Sequence, residues 1–409
     1  MNKIITLAVA FLLFIPFASI NGNNVSLTNN TNGNILYVGG SGPNNYTSIQ
    51  SAINDADNGD TIYVYSGIYR EHVRIYKPLN LIGEDEKTTI IDGMNETNAT
   101  VFSIEANNVN FSHFAIRNIS TKFFVFGITA TGSNITISNC IIKNADGLKA
   151  YSMKNSRIEN CNFSHNYWGI FFATNCRNIM VKNCTMSYNL GGKCEDGGYR
   201  GGNGISFMFD AKNFYNISIT NCNLSNNRFS GIYASEFENL YVKNCRMQEN
   251  RWGGIQIYDM KNVSILDCEI KNNAKIGVDI MGELGNIFIK NCNITGTKNE
   301  SGISILNKKS GKIYIDSCNI KNNNRYGIDV VVSYDFKIRY PGGIYIHHNN
   351  IYSNKIGVHA IRFSMVDARY NYWGSPLGPS HLFGLRGDKI QTTFAKVFYF
   401  PWLKEEYVS

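Results

Sequence analysis

The sequence predicts an all-β chain, a single-stranded parallel β-helix of about ten or more three-stranded coils. Three observations carry that reading. A cysteine-centred segment recurs as ISNCII at 137, VKNCTM at 181, ITNCNL at 219, VKNCRM at 242, ILDCEI at 265, IKNCNI at 289 and IDSCNI at 315. Short runs around each cysteine alternate apolar and polar residues, the period of strands. Five residues past the cysteine position stands an asparagine, at Asn166, Asn189, Asn227, Asn250, Asn273, Asn323 and Asn354, and a Gly-Ile or Gly-Val pair follows at Gly127, Gly169, Gly204, Gly231, Gly254, Gly277, Gly302, Gly327 and Gly357.

The chain has 409 residues, 43% hydrophobic and 17% charged, with 37 glycines and a formal charge of +8. That composition excludes a disordered chain and a collagen, and the mild positive excess favours an acidic partner without demanding one. At the start, Lys3 precedes an apolar run from Ile4 to Phe17, followed by small and polar residues. This reads as a secretory signal peptide over 1–20, with a flexible segment over 21–34. The run is shorter than the roughly 20 apolar residues of a spanning helix, so no transmembrane segment is expected in the mature chain. Secretion or display at the cell surface is the expected localisation, and repeated Asn-x-Ser/Thr triplets are compatible with glycosylation.

Residues 35–409 are expected to form one β-helix. Thr47-Ser48 can cap a short helix over 47–59 that presents Ile49, Ala52, Ile53 and Ala56 on one face and covers the first coil. In the coil that opens at Gly254, Ile255 and Ile257 point inward, then Val263 and Ile265, then Cys268 and Ile270. Only Leu266 and Asp267 separate the second pair from the third, so the chain must bend sharply there; elsewhere that corner carries Asn, which tolerates the left-handed conformation. The asparagines near the next corner should stack as a hydrogen-bonded ladder. Cys140, Cys161, Cys184, Cys222, Cys245, Cys268, Cys292 and Cys318, mostly 21 to 26 residues apart with one gap of 38, occupy an inward position that Phe114 and Asn349 also hold. They read as packing residues, and with no CxxC spacing no metal is expected on them. Cys176 and Cys194 lie outside this series and are the candidate disulfide pair. Two stretches exceed the repeat, 191–203 and 333–343, and should project as loops. From Arg369 the composition turns aromatic, with VFYFPW at 397, and 369–409 reads as the C-terminal cap.

The segment TSIQSAINDADNGDTIYVYSGIYREHVRIYKPLNLIGEDEKTTIIDG, at 47–93, resembles the opening of secreted pectin-lyase-like proteins, and NYWGSPLGPS at 371 with FPWL at 400 is similar to the closing motif of NosD-like surface proteins of that superfamily. The resemblance implies a right-handed coil. It does not choose a function, since the superfamily holds lyases, polygalacturonases, C5-epimerases and members without known activity. The polygalacturonase motifs are absent. Against the epimerase motif Tyr-Gly-Phe-Asp-Pro-His the chain offers Tyr326-Gly327-Ile328-Asp329-Val330-Val331, which lacks the proline and histidine and also arises from the Gly-Ile repeat itself.

Residues two positions past each repeat glycine should face solvent as one column: Phe171, Ser206, Tyr233, Gln256, Asp279, Ser304, Asp329 and His359. Asp210, Glu236, Tyr258 and Asp259 lie just beyond it. Such a stripe suits a sugar polymer, with Tyr233, Glu236, Gln256, Tyr258, Asp259 and Asp210 as binding candidates and Asp279, Asp329 and His359 as catalytic candidates. Outward residues of any soluble solenoid are polar, which is the plain alternative. Paired carboxylates a coil or two apart also suit Ca²⁺, though no resident cofactor is expected. A second outward column, Tyr241, Ser264, Phe288, Tyr314 and Tyr345, is a further candidate strip. No nucleotide or nucleic-acid motif is present, and His347-His348 is a poor shared copper site because the two rings diverge. The expected function is an exported carbohydrate-binding or structural and adhesive protein whose partner is a polysaccharide or cell-surface glycan; the alternative is a polysaccharide-active lyase, C5-epimerase or hydrolase.

Overall fold

Each coil follows from the alternation in the sequence. In the coil that opens at Gly253, strands Gly253–Tyr258, Lys261–Leu266 and Glu269–Lys271 form three faces. Ile255, Ile257, Val263, Ile265, Cys268 and Ile270 all point into the core and are buried. The computed structural model describes residues 33–94, 100–117, 125–193, 199–208, 213–307, 311–332, 343–362, 364–380 and 387–408. The leader 1–20, most of the 21–34 segment, Cys194, Asp210 and all but the last residue of the 333–343 loop lie outside them.

Every strand of a coil pairs in parallel with its counterpart one coil away, as Gln256 does with Tyr233 on one side and Asp279 on the other. The first and second faces join in a 28-stranded sheet, while the third face forms a four-stranded and a five-stranded sheet. Single bridges at Asn162, Thr185 and Asn223 connect those two. The one antiparallel pair among the described residues, Gly192–Lys193 with Tyr199–Arg200, lies in the insertion expected at 191–203.

The sharp corner before each cysteine is left-handed, with φ of 51° at Asn139 and Asn244, 53° at Asp267 and 55° at Ser317. An ordinary strand residue there would keep the alternation in phase and send Cys268 and Ile270 to solvent. Corner side chains also bond between coils, as Asn244 Nδ2 does to Asn221 Oδ1 at 2.8 Å. A further series, half-buried to exposed, runs Asn262, Asn239, Asn216, Asn178 and Asn155, each amide donating to the side-chain oxygen of the next one named.

The asparagine ladder foreseen at the other corner is buried. Backbone N–H groups of Asn166, Asn189, Asn227 and Asn250 donate to the side-chain oxygens of Asn189, Asn227, Asn250 and Asn273 at 2.9–3.0 Å. The amides of Asn227 and Asn273 donate in turn to the Met186 and Met247 carbonyls. Without these side chains the turn would leave buried backbone groups unpaired.

At the C-terminal end a different residue holds the rung. The Asp388 carboxylate accepts from the backbone and side-chain nitrogens of Asn354 at 3.0 and 2.8 Å. Burial pushes its pKa up from 3.8 to about 6, with the Asn354 bonds opposing. A carboxyl whose folded pKa is raised contributes stability that is present below pH ~4 and lost as pH rises through ~6. Asp388→Asn keeps the accepting oxygen and removes the buried charge, so it should raise the unfolding free energy measured in urea at pH 8 by about 1–2 kcal/mol and flatten the decline between pH 4 and 6. Equal pH profiles for the two proteins would rule this out.

The eight-cysteine series is buried and free of disulfides. Each thiol donates to the carbonyl two residues earlier, Cys245 to Lys243 and Cys292 to Lys290 for example, so polar satisfaction comes with the packing. Asn349 takes the next place and accepts the Cys318 N–H at 2.8 Å. Cys176 is a free buried thiol, and its suggested partner Cys194 is not described. Burial raises the Cys176 thiol to about 12, which disfavours its thiolate.

The N-terminal helix spans Ile49–Asp55, shorter than the 47–59 expectation. Its N-cap Ser48 accepts from Ser51, and the Glu71 carboxylate accepts from the Ile49 and Gln50 N–H groups. It stops because Ala56 is extended and the Asp60 carboxylate draws the Asp57 N–H into a turn. Ile49, Ala52 and Ile53 cover the open core. At the other end the aromatic segment is coil as well as cover: Gly387–Thr393 and Lys396–Phe398 extend the first two faces, while Trp373 is wholly buried.

Candidate functional site

The in-register stacking of the first face turns one sequence position into a straight row. Phe171, Ser206, Tyr233, Gln256, Asp279, Ser304, Asp329 and His359 are successive Cα partners, one per coil. Parallel pairing sets them ~4.8 Å apart.

The row departs from expectation in depth. Ser206, Gln256 and Asp279 are only 6%, 6% and 8% exposed, although they point away from the core. Neighbours at strand spacing cover each other, and the strand ends carry larger side chains that rise beside them. On the side of entry stand Phe229, Trp252 and Lys275, with Lys275 Nζ 3.5 Å from the Trp252 ring centre. Further along, the Arg325 guanidinium lies 4.8 Å over Tyr326. On the side of exit Tyr258 tilts against Tyr233 at 5.4 Å between centroids. The row is therefore the floor of a shallow groove. At its N-terminal end Phe126, Trp168 and Phe171 stack on one another, and the insertion hairpin sits against Tyr167, whose hydroxyl donates to the Gly192 carbonyl.

Within the floor the polar groups interlock. Ser230 Oγ donates to Gln256 Oε1 at 2.7 Å, and Gln256 Nε2 donates to the Tyr258 hydroxyl at 3.1 Å. Burial raises the Asp279 carboxyl to about 6; the Glu300 charge adds to this, and hydrogen bonds from Gln256 and Ser304 oppose it. Burial, with the charges of Asp279 and Tyr233, pushes the Tyr258 phenol well up, so Tyr258 stays a neutral hydroxyl. Two coils from Asp279, the Asp329 carboxylate meets His359 Nδ1 at 2.8 Å, and Tyr326 stacks on the His359 ring at 4.4 Å and 9°.

Asp279, Asp329, His359, Tyr233, Gln256 and Tyr258 thus come together on one groove. Glu236 and Asp259 do not: both occupy left-handed corners, and the Asp259 carboxylate accepts the Glu283 N–H at 2.5 Å. Their backbone turns them out of the strand and gives Asp259 a corner-bracing task. The second outward column is also in register, but its rings lie face to face, Phe288 on Tyr314 and Tyr314 on Tyr345, each at 5.0 Å. Ring faces consumed in that way leave only edges for a sugar. Trp252, Lys275 and Arg325 belong to neither expected column, and Tyr326 entered only through the motif comparison. They sit one or two residues before the repeat glycine, a position that could have been tabulated like the floor but where the corner breaks the alternation. Among the described residues no group of three or more His, Cys, Asp or Glu converges as a cation site.

The family model described as the right handed beta helix region matches residues 87–236 and 203–371. The chain belongs to that family. Among solved structures, this β-helix is similar to the catalytic domain of a GH87 alpha-1,3-glucanase in complex with nigerose, at a TM-score of 0.53 and 12% identity over 90% of this chain and 66% of that one. The Agl-KA catalytic domain aligns at 0.52 and 13% identity, over 85% of this chain and 64% of that one. The β-helix therefore spans just under two thirds of the length of both. The A-module of an Azotobacter vinelandii mannuronan C-5 epimerase aligns at 0.46 and 15% identity, over 86% and 94%. At such identities the likeness to the first two is one of fold. No curated protein sequence matches this β-helix.

Proposed function

We propose that this β-helix is an exported or surface-displayed protein that holds a polysaccharide lengthwise along its first face. The observation that carries the reading is the sunken row from Ser206 to His359, polar at nearly every coil and edged by Phe229, Trp252 and Tyr258. An extended glycan repeats its hydroxyls with a period comparable to the coil rise, and ring faces beside a polar floor match its alternating apolar and hydroxyl surfaces. Lys275 and Arg325 on the entry side add cationic charge that suits sugars bearing carboxylates.

The test is retention of the purified chain on immobilised alginate, polygalacturonate, xylan and α-1,3-glucan. Retention on at least one is expected. Trp252, 36% exposed, borders the row and seats the Lys275 ammonium on its ring, and Trp252→Ala should weaken binding about tenfold, equivalent to ~1.4 kcal/mol. Absence of retention on all four, or binding unchanged in the variant, would remove the groove as the binding surface and leave a structural surface role. Export rests on the leader read at 1–20, and N-terminal sequencing of secreted material tests it.

A further inference from the structure

We infer that Asn299 is an N-glycosylation site, with an oligosaccharide carried on a lipid diphosphate as the donor. This rests on the export reading above and adds a modification to it. Asn-x-Ser/Thr occurs fifteen times in the sequence, and ten of those asparagines lie among the described residues. A triplet alone does not choose between them. The fold does, because a glycan on the amide nitrogen must reach solvent without parting coils that stack ~4.8 Å apart.

Seven of the ten are only half-buried to the side of a strand, corner or turn, and their surroundings hold them. Asn162 and Asn293 keep their side-chain oxygens shut from solvent, and the Asn216 and Asn262 amides donate across coils to Asn178 and Asn239 at 3.1 Å. The other three, Asn134, Asn183 and Asn299, are exposed. Asn134 and Asn183 are left-handed corners, with φ of 59° and 53°, and their amides donate to the side-chain oxygens of Asn108 at 2.9 Å and Asn160 at 3.2 Å. A sugar on either nitrogen stands against the coil that the amide now bonds. Asn299 is exposed and its amide bonds no described residue, a combination that none of the other nine shows.

That freedom comes from one added residue. The corner from Thr297 to Gly302 is one residue longer than those from Asn273 to Gly277 and from Asn323 to Gly327 in the adjoining coils. Thr297 keeps the ladder place, its N–H donating to Asn323 Oδ1 at 3.1 Å. The N–H groups of Lys298 and Glu300 donate to the Asn273 and Lys275 carbonyls at 3.1 and 3.0 Å, so Asn299 is the residue left to bulge between them. Glu300 holds the place on the entry edge that Lys275 and Arg325 hold in the adjoining coils. A glycan on Asn299 therefore rises at the rim of the groove and leaves its floor open.

Ser301, the third member of the triplet, is 2% exposed, so the triplet can be read only before this coil closes. Transfer belongs to passage across the membrane, and the folded corner then keeps the product in solvent. In the step the Asn299 amide nitrogen bonds to C1 of the donor sugar as the bond from C1 to the diphosphate oxygen breaks. The amide proton passes through a base of the transferase to solvent, and the lipid diphosphate leaves.

The experiment expresses the full chain, leader included, in a host that has an oligosaccharyltransferase, recovers it from outside the cell and maps its peptides by mass spectrometry. A glycan mass on the peptide that holds Asn299 is expected in most copies, with Asn134 and Asn183 bare. Asn299→Gln should abolish it and leave the urea midpoint unchanged, and Ser301→Ala should abolish it while keeping the asparagine. An exported chain bare at Asn299 overturns the inference and spares the export reading. So does a glycan on Asn134 or Asn183 in its place, or one that persists on Asn299 in Ser301→Ala. A chain held inside the cell with its leader uncleaved removes both readings together.

Discussion

Gly277→Val should cost this β-helix about 3 kcal/mol or more, seen as a clear drop in urea midpoint. The glycine opens a strand of the first face, directly below the equivalent glycine of the next coil. A Cβ built there lies 2.4 Å from the Gly302 carbonyl oxygen and 2.8 Å from Ile294 Cγ2. Neither neighbour can yield easily: the carbonyl is backbone of the adjacent coil, and Ile294 is fully buried in the core. Relief requires parting two coils, which stretches the ladder bonds on both sides of the substitution. The same crowding holds at Gly254, where the Gly277 carbonyl lies at 2.7 Å, so the glycine row is a condition for stacking at this rise. An unchanged midpoint in Gly277→Val would mean that the coils do not stack in this register.

Asn250→Ala is expected to cost about 2–3 kcal/mol, although it removes a polar residue from the core. Asn250 is wholly buried; its oxygen accepts the Asn227 N–H at 2.9 Å and its amide donates to Asn273 Oδ1 at 3.1 Å. Alanine leaves the Asn227 N–H with no water and no partner, at a penalty of about 1–3 kcal/mol, and adds a small cavity. Asn244→Ala supplies the contrast. Its side chain also bonds between coils, to Asn221 at 2.8 Å, but solvent can replace that bond, so the loss should be only the ~1 kcal/mol of placing alanine in a left-handed corner. Similar losses in the two variants, measured by urea unfolding, would contradict the division into buried and exposed ladders.

Most of the architecture was legible because the coil is short and repeats. Cys268 and its equivalents mark one inward position, Asp267 marks a bend that φ of 53° verifies, and Asn250 and Asn273 mark a corner whose backbone needs them. The floor of the groove followed from the same counting, since parity past Gly254 and Gly277 assigns Gln256 and Asp279 to one side of one sheet. Parity failed at the ends of strands. Glu236 and Asp259 look like continuations of the floor in sequence, yet their left-handed backbone turns them into corners. Tyr326, just before the repeat glycine, stacks on His359 of the next coil, a contact no column predicts.

By itself the sequence determined the coil, its three faces, its corners and which residues share a column, because each of these depends on spacing within about one repeat. Tertiary structure alone decided depth and contact. How far Asp279 sinks, that Asp329 meets His359, and that Trp252 and Lys275 form an edge above them depend on neighbours a full coil away along the chain. A column is a statement about direction, and direction repeats with the strand. Burial, and with it the raised pKa of Asp279, is set by the side chains of the coils above and below, which no single repeat contains.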